Sequence, residues 1–252
     1  GRQNISGIFN FPRARGKYIA LMDCDDYWCN PGKLEAQVSY LEAHPDCAMT
    51  VHAAAVKNDR GELVNRNLMR PYRGDRDLSP AELVDKAGSF PFGAMLLRRE
   101  VVEKLPDWYF RCPVGDRPLE LLAALKGYCH YADRFDSVYR FHGAGSWTEE
   151  MKSGDFKKKQ DAYAIAMREL YRAFDRESGG RYHRAAVSAA RRVYFLTRVN
   201  LRDYDEIFSP RYRRYYRELS LRDRGFIRAE RTLPFLFAGL RRLRDRIFRQ
   251  EG

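Results

Sequence analysis

What this chain has little of excludes several classes at once. No apolar run in its 252 residues approaches the roughly 20 needed to span a bilayer. Its opening residues do not form a signal-peptide pattern. The five cysteines, Cys24, Cys29, Cys47, Cys112 and Cys129, are scattered and contain no C-x-x-C pair. They read as reduced thiols of a cytosolic compartment, not as a disulfide frame or a zinc site. There is no internal repeat and no low-complexity segment. What is present describes a folded protein: 44% of residues are apolar and 13% aromatic, too many for a disordered chain. The length suits one large domain or two modest ones.

Charge divides the chain. Residues 1–152 carry 21 basic against 21 acidic side chains, and residues 153–252 carry 25 against 13. The whole net charge of +12 therefore belongs to the last hundred residues. This asymmetry predicts a neutral front module (1–152) and a basic module (153–252) that meets something anionic.

The front module centres on one stretch. The apolar run Tyr18 to Met22, bounded by Gly16, reads as a buried strand. Asp23, Asp25 and Asp26 follow at its carboxyl end, where open α/β sheets bind ligands. Clustered carboxylates repel unless a cation or a base neutralises them. Hard oxygen donors suit Mg²⁺ or Mn²⁺, and Mg²⁺ is usually shared between one or two carboxylates and substrate phosphates. The alternative is a polar turn that caps the next helix.

Further on, Asn30-Pro31 predicts a helix start, followed by Leu34, Val38 and Leu41 at helical spacing. Strands are predicted over 48–56 and 90–97, with a capping box at Ser79–Glu82 opening a helix between them. A short helix is predicted over 99–105 and a loop over 106–113. A helix then follows Asp116, and two strands run over 128–132 and 137–141. This alternation makes the region α/β. From about Asp155 only helical patterns remain, ending in a last helix from Pro234 with Leu236, Leu240, Leu243 and Ile247 opposite a row of arginines.

The run Gly16-Lys-Tyr-Ile-Ala through Asp23-x-Asp25-Asp26-Tyr27-Trp28 to Gln37-Val38 resembles the family 2 glycosyltransferases. So do Gly115-Asp116-x-Pro-Leu, Gly127-Tyr-x-x-Tyr-x-Asp133 and Tyr139-Arg140-x-His142-x-x-Gly145-x-Trp147. These are inverting enzymes of the GT-A (nucleotide-diphospho-sugar transferase) fold, and the likeness covers roughly residues 1–150. It implies a partial GT-A mixed sheet flanked by helices, followed by an all-helical basic C-terminal region. It also implies transfer of a sugar from a nucleotide-diphosphate donor to a carbohydrate or lipid-linked acceptor, with Mg²⁺ or Mn²⁺.

Residue by residue, the resemblance gives Asp23 to the ribose or the metal and Asp25 to the metal that bridges the donor diphosphate, with Cys24 between them and Arg15 nearby. His142 stands where some members place a further metal or diphosphate contact, the alternative being an ordinary surface or core histidine. Asp116 is the base that takes the acceptor proton, although an Asp at a helix start is also an ordinary N-cap. Gly115 accompanies it, and Trp28, Trp108 and Trp147 are candidate sugar platforms. Cys24 stands where the family usually has a small residue, and a thiol there is tolerated packing.

Family members normally open with a strand–helix–strand that holds the nucleotide base. No stretch before Tyr18 supplies a β-α-β unit of about thirty residues. The resemblance thus implies a chain that lacks this N-terminal part, has an unpaired sheet edge and is inactive by itself.

For residues 153–252 three readings compete. The last helix has the interfacial pattern of a peripheral membrane contact, on an anionic and cytoplasmic surface. Interleaved Arg and Tyr at Tyr212–Arg217 suggest nucleic acid more weakly, because no binding motif accompanies them. The third reading is a solvated helical face packed on the catalytic module. A non-catalytic interaction module is the competing function for the chain.

Overall fold

The computed structural model describes residues 5–58, 60–64, 69–86, 90–141, 147–233 and 235, with backbone alone at 86 and 147–149. By contacts the chain divides into two compact units, Gly1–Arg191 and Arg192–Gly252.

In the first unit a short π-helical turn, Ser6–Asn10, runs into α1 (Phe11–Arg13). There follow β1 (Tyr18–Ala20), β2 (Tyr27–Trp28), α2 (Lys33–Ala43), β3 (Cys47–Lys57), β4 (Arg76–Leu78) and α3 (Pro80–Lys86). Then come β5 (Leu96–Arg98), α4 (Asp107–Arg111), α5 (Asp116–Lys126) and β6 (Tyr128–Arg140). The unit continues through α6 (Trp147–Lys152) and α7 (Phe156–Glu177) into α8 (His183–Leu201). The strands form one mixed sheet in the order β1-β5-β3-β6-β2, with β4 also on β6. Among the described strands, only β3 and β6 pair in parallel. The α/β class is therefore observed, with a helical region after it.

β3 is buried along nearly its whole length, as a central strand covered on both faces must be. Leu41, Cys47 and Leu96 join α2, β3 and β5 in one fully buried cluster. Each such side chain contributes about 1.5–3 kcal/mol of transfer free energy.

Several predicted elements shift. The helix expected from Asn30-Pro31 starts at Lys33, because the Asn30 side chain accepts the Gly32 N–H at 2.9 Å and donates to Asp136 at 2.7 Å. Asn30 thus makes an Asx turn and not a cap. The strand expected over 90–97 reduces to Leu96–Arg98 after a 3₁₀ turn at Phe92–Ala94. Only a 3₁₀ turn, Arg99–Val101, occupies the helix expected over 99–105. The loop expected over 106–113 contains α4, which Pro106 precedes and whose Trp108 and Tyr109 are buried.

The two strands expected at 128–132 and 137–141 are one, β6, broken in register where residues 133, 134 and 136 have no partner on β3. The capping box forms as expected: Ser79 N–H donates to Glu82 and Glu82 N–H to the Ser79 hydroxyl. Helix α7 begins where Asp155 accepts the Lys158 N–H at 2.9 Å, and Gly179 and Gly180 follow it at positive φ.

The boundary expected at residue 152 differs from the division at Arg191. Helix α7 contributes Met167, Leu170, Tyr171 and Phe174 to the buried side chains of the first unit. The second unit adds α9 (Tyr204–Ile207), α10 (Arg213–Glu218) and α11 (Leu221–Thr232). Its core is Phe195, Ile207, Tyr212, Tyr215, Tyr216 and Ile227. The helix expected from Pro234 lies outside the described residues.

Candidate active site

The acidic loop emerges from β1 and is held at both ends. Leu21 N–H donates to Met95 O, and Cys29 N–H to Asp136 O at 3.0 Å. Inside the loop Asp26 N–H donates to Asp23 O at 3.2 Å, closing a turn. Register between β2 and β6, Tyr27 opposite Val138 and Trp28 opposite Ser137, brings this turn to the carboxyl end of β6. There the Asp26 carboxylate accepts the Arg140 N–H at 2.9 Å. Asp26 therefore holds the turn, while Asp23, Cys24 and Asp25 are exposed.

Asp116 reaches the same place from α5. It is the first residue of that helix, and its Oδ1 accepts the N–H of Arg117 at 2.7 Å. An N-cap carboxylate accepts from the second or third helical N–H. This one does not, so capping fails to account for it. Gly115 precedes the helix with the Phe92 ring against it: a Cβ there would lie 3.0 Å from that ring. The glycine leaves room for the Phe92 ring beside the start of α5.

Electrostatics show which groups lie within Coulombic reach of one another. Although Asp23 is exposed, partial loss of solvent around its carboxyl raises it first, and the charges of Asp25 and Asp116 raise it further. Asp26 is pushed up to about 6, chiefly by burial, against the pull of the Arg140 N–H. Burial likewise raises Asp116, which is half-buried, against the pull of the Arg117 N–H. One phenol feels all four: after burial, the charges of Asp26, Asp25, Asp23 and Asp116 raise Tyr139. Tyr163 of α7 is raised by burial and then by Asp116. Sequence reasoning assigned no role to either tyrosine. Tyr139 sat inside a quoted motif, but Tyr163 carries no local signal, because only packing of α7 brings it to Asp116.

The other predicted residues fare differently. The Trp28 ring is 36% exposed, with its N–H on Gly93 O at 2.9 Å and the Lys33 ammonium 4.5 Å from the ring centre. Trp108 is 8% exposed and packs edge-on against Phe174. It is a core residue and not a sugar platform. Arg15 is exposed and precedes β1, whose other end carries the carboxylates. His142 and the Trp147 side chain lie outside the described residues. Among the described residues, no three His, Cys, Asp or Glu side chains are grouped to hold a metal by themselves. Asp23 and Asp25 nevertheless fit a divalent ion shared with a diphosphate. They are accessible, they bear hard oxygens, and the mutual repulsion that raises Asp23 is what a cation relieves.

Comparison with known proteins bears on this loop directly. Residues 9–106 match the family model described as Glycosyl transferase family 2. The match contains Asp23, Cys24, Asp25 and Trp28 and stops before Asp116. It begins at residue 9 and lends no support to the expected absence of an N-terminal part. An uncharacterized protein of Mycobacterium bovis is 30% identical over 140 residues, as are two of Mycobacterium tuberculosis, strains CDC 1551 and H37Rv. The matched stretch is 53% of this chain and 37% of each relative, well under half of their length.

Proposed function

We infer that this chain transfers a sugar, with inversion, from a nucleotide-diphosphate donor to a hydroxyl of a carbohydrate or lipid-linked acceptor. The family match over the acidic loop supports the donor half of this reading. The observation that carries the rest is Tyr139, whose phenol feels Asp23, Asp25, Asp26 and Asp116 together. The acidic loop and the half-buried Asp116 carboxylate thus act on one phenol.

In this mechanism Asp116 accepts the proton of the acceptor hydroxyl as that oxygen bonds the anomeric carbon. The bond to the diphosphate breaks on the opposite face, which inverts the centre. A carboxyl raised by burial is a better base than an exposed one. Asp23 and Asp25 would hold Mg²⁺ or Mn²⁺, which supplies charge neutralisation for the departing diphosphate. Asp26 keeps the loop on β6, and Trp28 offers its exposed ring to the sugar.

The test is calorimetric binding of UDP and GDP to the chain with and without Mn²⁺, paired with a transfer assay. Binding that needs Mn²⁺ and is lost in Asp25→Ala supports the reading. Affinity indifferent to both returns the chain to a non-catalytic interaction module.

A second reading concerns location. Leu221 and Phe235 are 81% and 91% exposed, and Arg222 and Arg228 are exposed between them. Apolar side chains interleaved with arginine favour an anionic membrane surface. No helix of the described residues is long and apolar enough to cross a membrane. Tyr212, Tyr215 and Tyr216, the aromatic half of the nucleic-acid pattern, are buried in the second unit's core, where bases cannot stack on them.

A further inference from the structure

Next to Asp116 sits a buried cation that the proposed chemistry does not use. The Arg117 side chain is 12% exposed and satisfies nearly its whole donor fork. Its Nε donates to the Tyr171 hydroxyl at 2.8 Å and its Nη1 to Leu83 O at 2.9 Å. Nη1 also reaches Glu120, and Nη2 donates to Val84 O. One guanidinium therefore ties together the end of α3, the first turns of α5 and the middle of α7. Its own backbone N–H donates to the Asp116 carboxylate at 2.7 Å.

We propose that Arg117 is the positioning residue of Asp116. Anchored on Leu83, Val84, Glu120 and Tyr171, it fixes the first turn of α5 so that the Asp116 carboxylate faces the Asp23–Asp25 loop. The inference rests on Asp116 as the base.

The geometry explains why arginine stands there. Lysine offers one point of charge, whereas four acceptors on three elements need a rigid planar fork. Glu120 and Tyr171 are nearly fully buried, so every part of the clamp is shielded from water and its geometry is determined by the protein alone. Arg117 also acts on Asp116 electrically. Burial lifts the Asp116 carboxyl, while the Arg117 N–H and the guanidinium charge pull it back down. Other titratable groups around this carboxyl are Asp23 on the acidic loop, Cys112 before α5, Glu120 on α5, Tyr139 on β6 and Tyr163 on α7. Tyr171 reaches it through the guanidinium. Arg117 alone among these supplies a positive charge. Through Tyr171, helix α7 takes part in the site although none of its residues belongs to the matched motifs.

The experiment is a carbon-13 NMR titration of Asp116 in the intact chain, the signal being assigned by its loss in Asp116→Asn. Replacing the pair together, Arg117→Met with Glu120→Gln, avoids leaving a lone buried charge. The Asp116 midpoint should then rise by about one pH unit. Arg117→Lys, which keeps the charge but not the fork, should leave the midpoint between those of wild type and the paired variant. Tyr171→Phe removes only one hydroxyl from the clamp and should raise the midpoint by less. A midpoint unmoved in both the paired variant and Tyr171→Phe overturns the proposal. A midpoint that moves while Asp116→Asn retains full transfer activity leaves the link between Arg117 and Asp116 standing and removes the base assignment instead.

Discussion

The Asp26 carboxylate and the Arg140 N–H meet at 2.9 Å across 114 residues of sequence. This bond joins the turn after β1 to the last residue of β6, next in sequence to Tyr139. Asp26 is also the carboxyl whose pKa the fold raises to about 6, mainly through burial.

That elevation makes stability depend on pH. A carboxyl raised on folding binds its proton more tightly in the native state, so its contribution is fully present below the unfolded pKa near 4 and is lost as pH rises towards 6. Asp26 is half-buried, so solvent screens part of the effect. Urea melts should show stability falling by about 1–2 kcal/mol across that window. Asp26→Asn keeps an oxygen for the Arg140 N–H and removes the charge, so it should flatten the slope. An unchanged slope would mean that Asp26 is not the group responsible.

Asp25→Ala should abolish the Mn²⁺ dependence of UDP or GDP binding, because the shared site then loses one of its two hard carboxylates. Chelation by EDTA should lower the wild-type affinity to the level of this variant. Isothermal titration of both proteins checks it, and equal affinities with and without metal would contradict the shared site.

For Asp116→Asn the expected loss is in kcat, about 10²–10⁴-fold, the usual range for removing a general base. Donor affinity should stay within a factor of about two, since base removal leaves ground-state donor contacts intact. A variant that weakens donor binding as much as turnover would place Asp116 on the donor instead.

At Gly127 the backbone is extended, and a Cβ would lie 2.1 Å from the Asp46 carbonyl oxygen. Gly127→Ala must therefore push β6 away from the segment leading into β3, at a cost of about 1–3 kcal/mol by analogy with overpacking. Thermal denaturation measures it, and a variant as stable as wild type would show that this approach relaxes freely.

Vesicles test the second unit. Wild-type chain should sediment with anionic vesicles and not with neutral ones, with binding falling as salt rises. Leu221→Ser together with Phe226→Ser should reduce the pelleted fraction, as should removal of residues 232–252. Equal pelleting of all forms removes the membrane reading.

Much of this molecule is legible in the chain itself. Tyr18 to Met22 followed by three aspartates predicts a buried strand ending in a charged loop; the loop is there, but β1 covers only Tyr18–Ala20, with Ile19 its one buried residue and Met22 exposed. The Ser79–Glu82 box works through neighbours in sequence, so local reading finds it. Helix α4 escaped it, because the pull towards a helix comes from burying Trp108 and Tyr109 and not from local propensity. The single long β6 escaped as well, since its continuity depends on β3 pairing across a bulge.

Asp23-Cys24-Asp25-Asp26 shows the same boundary at the candidate site. The sequence by itself determined that carboxylates cluster there and that Asp116 opens a helix, because residue type and nearest-neighbour chemistry suffice for both. Only the tertiary structure decided that Asp116 and Tyr139 come within Coulombic reach of that cluster, that Tyr163 comes within reach of Asp116, and that Arg117 ties α5 to α7. Those relations depend on Coulomb and hydrogen-bond distances between segments far apart in the chain, which exist only once the core has packed.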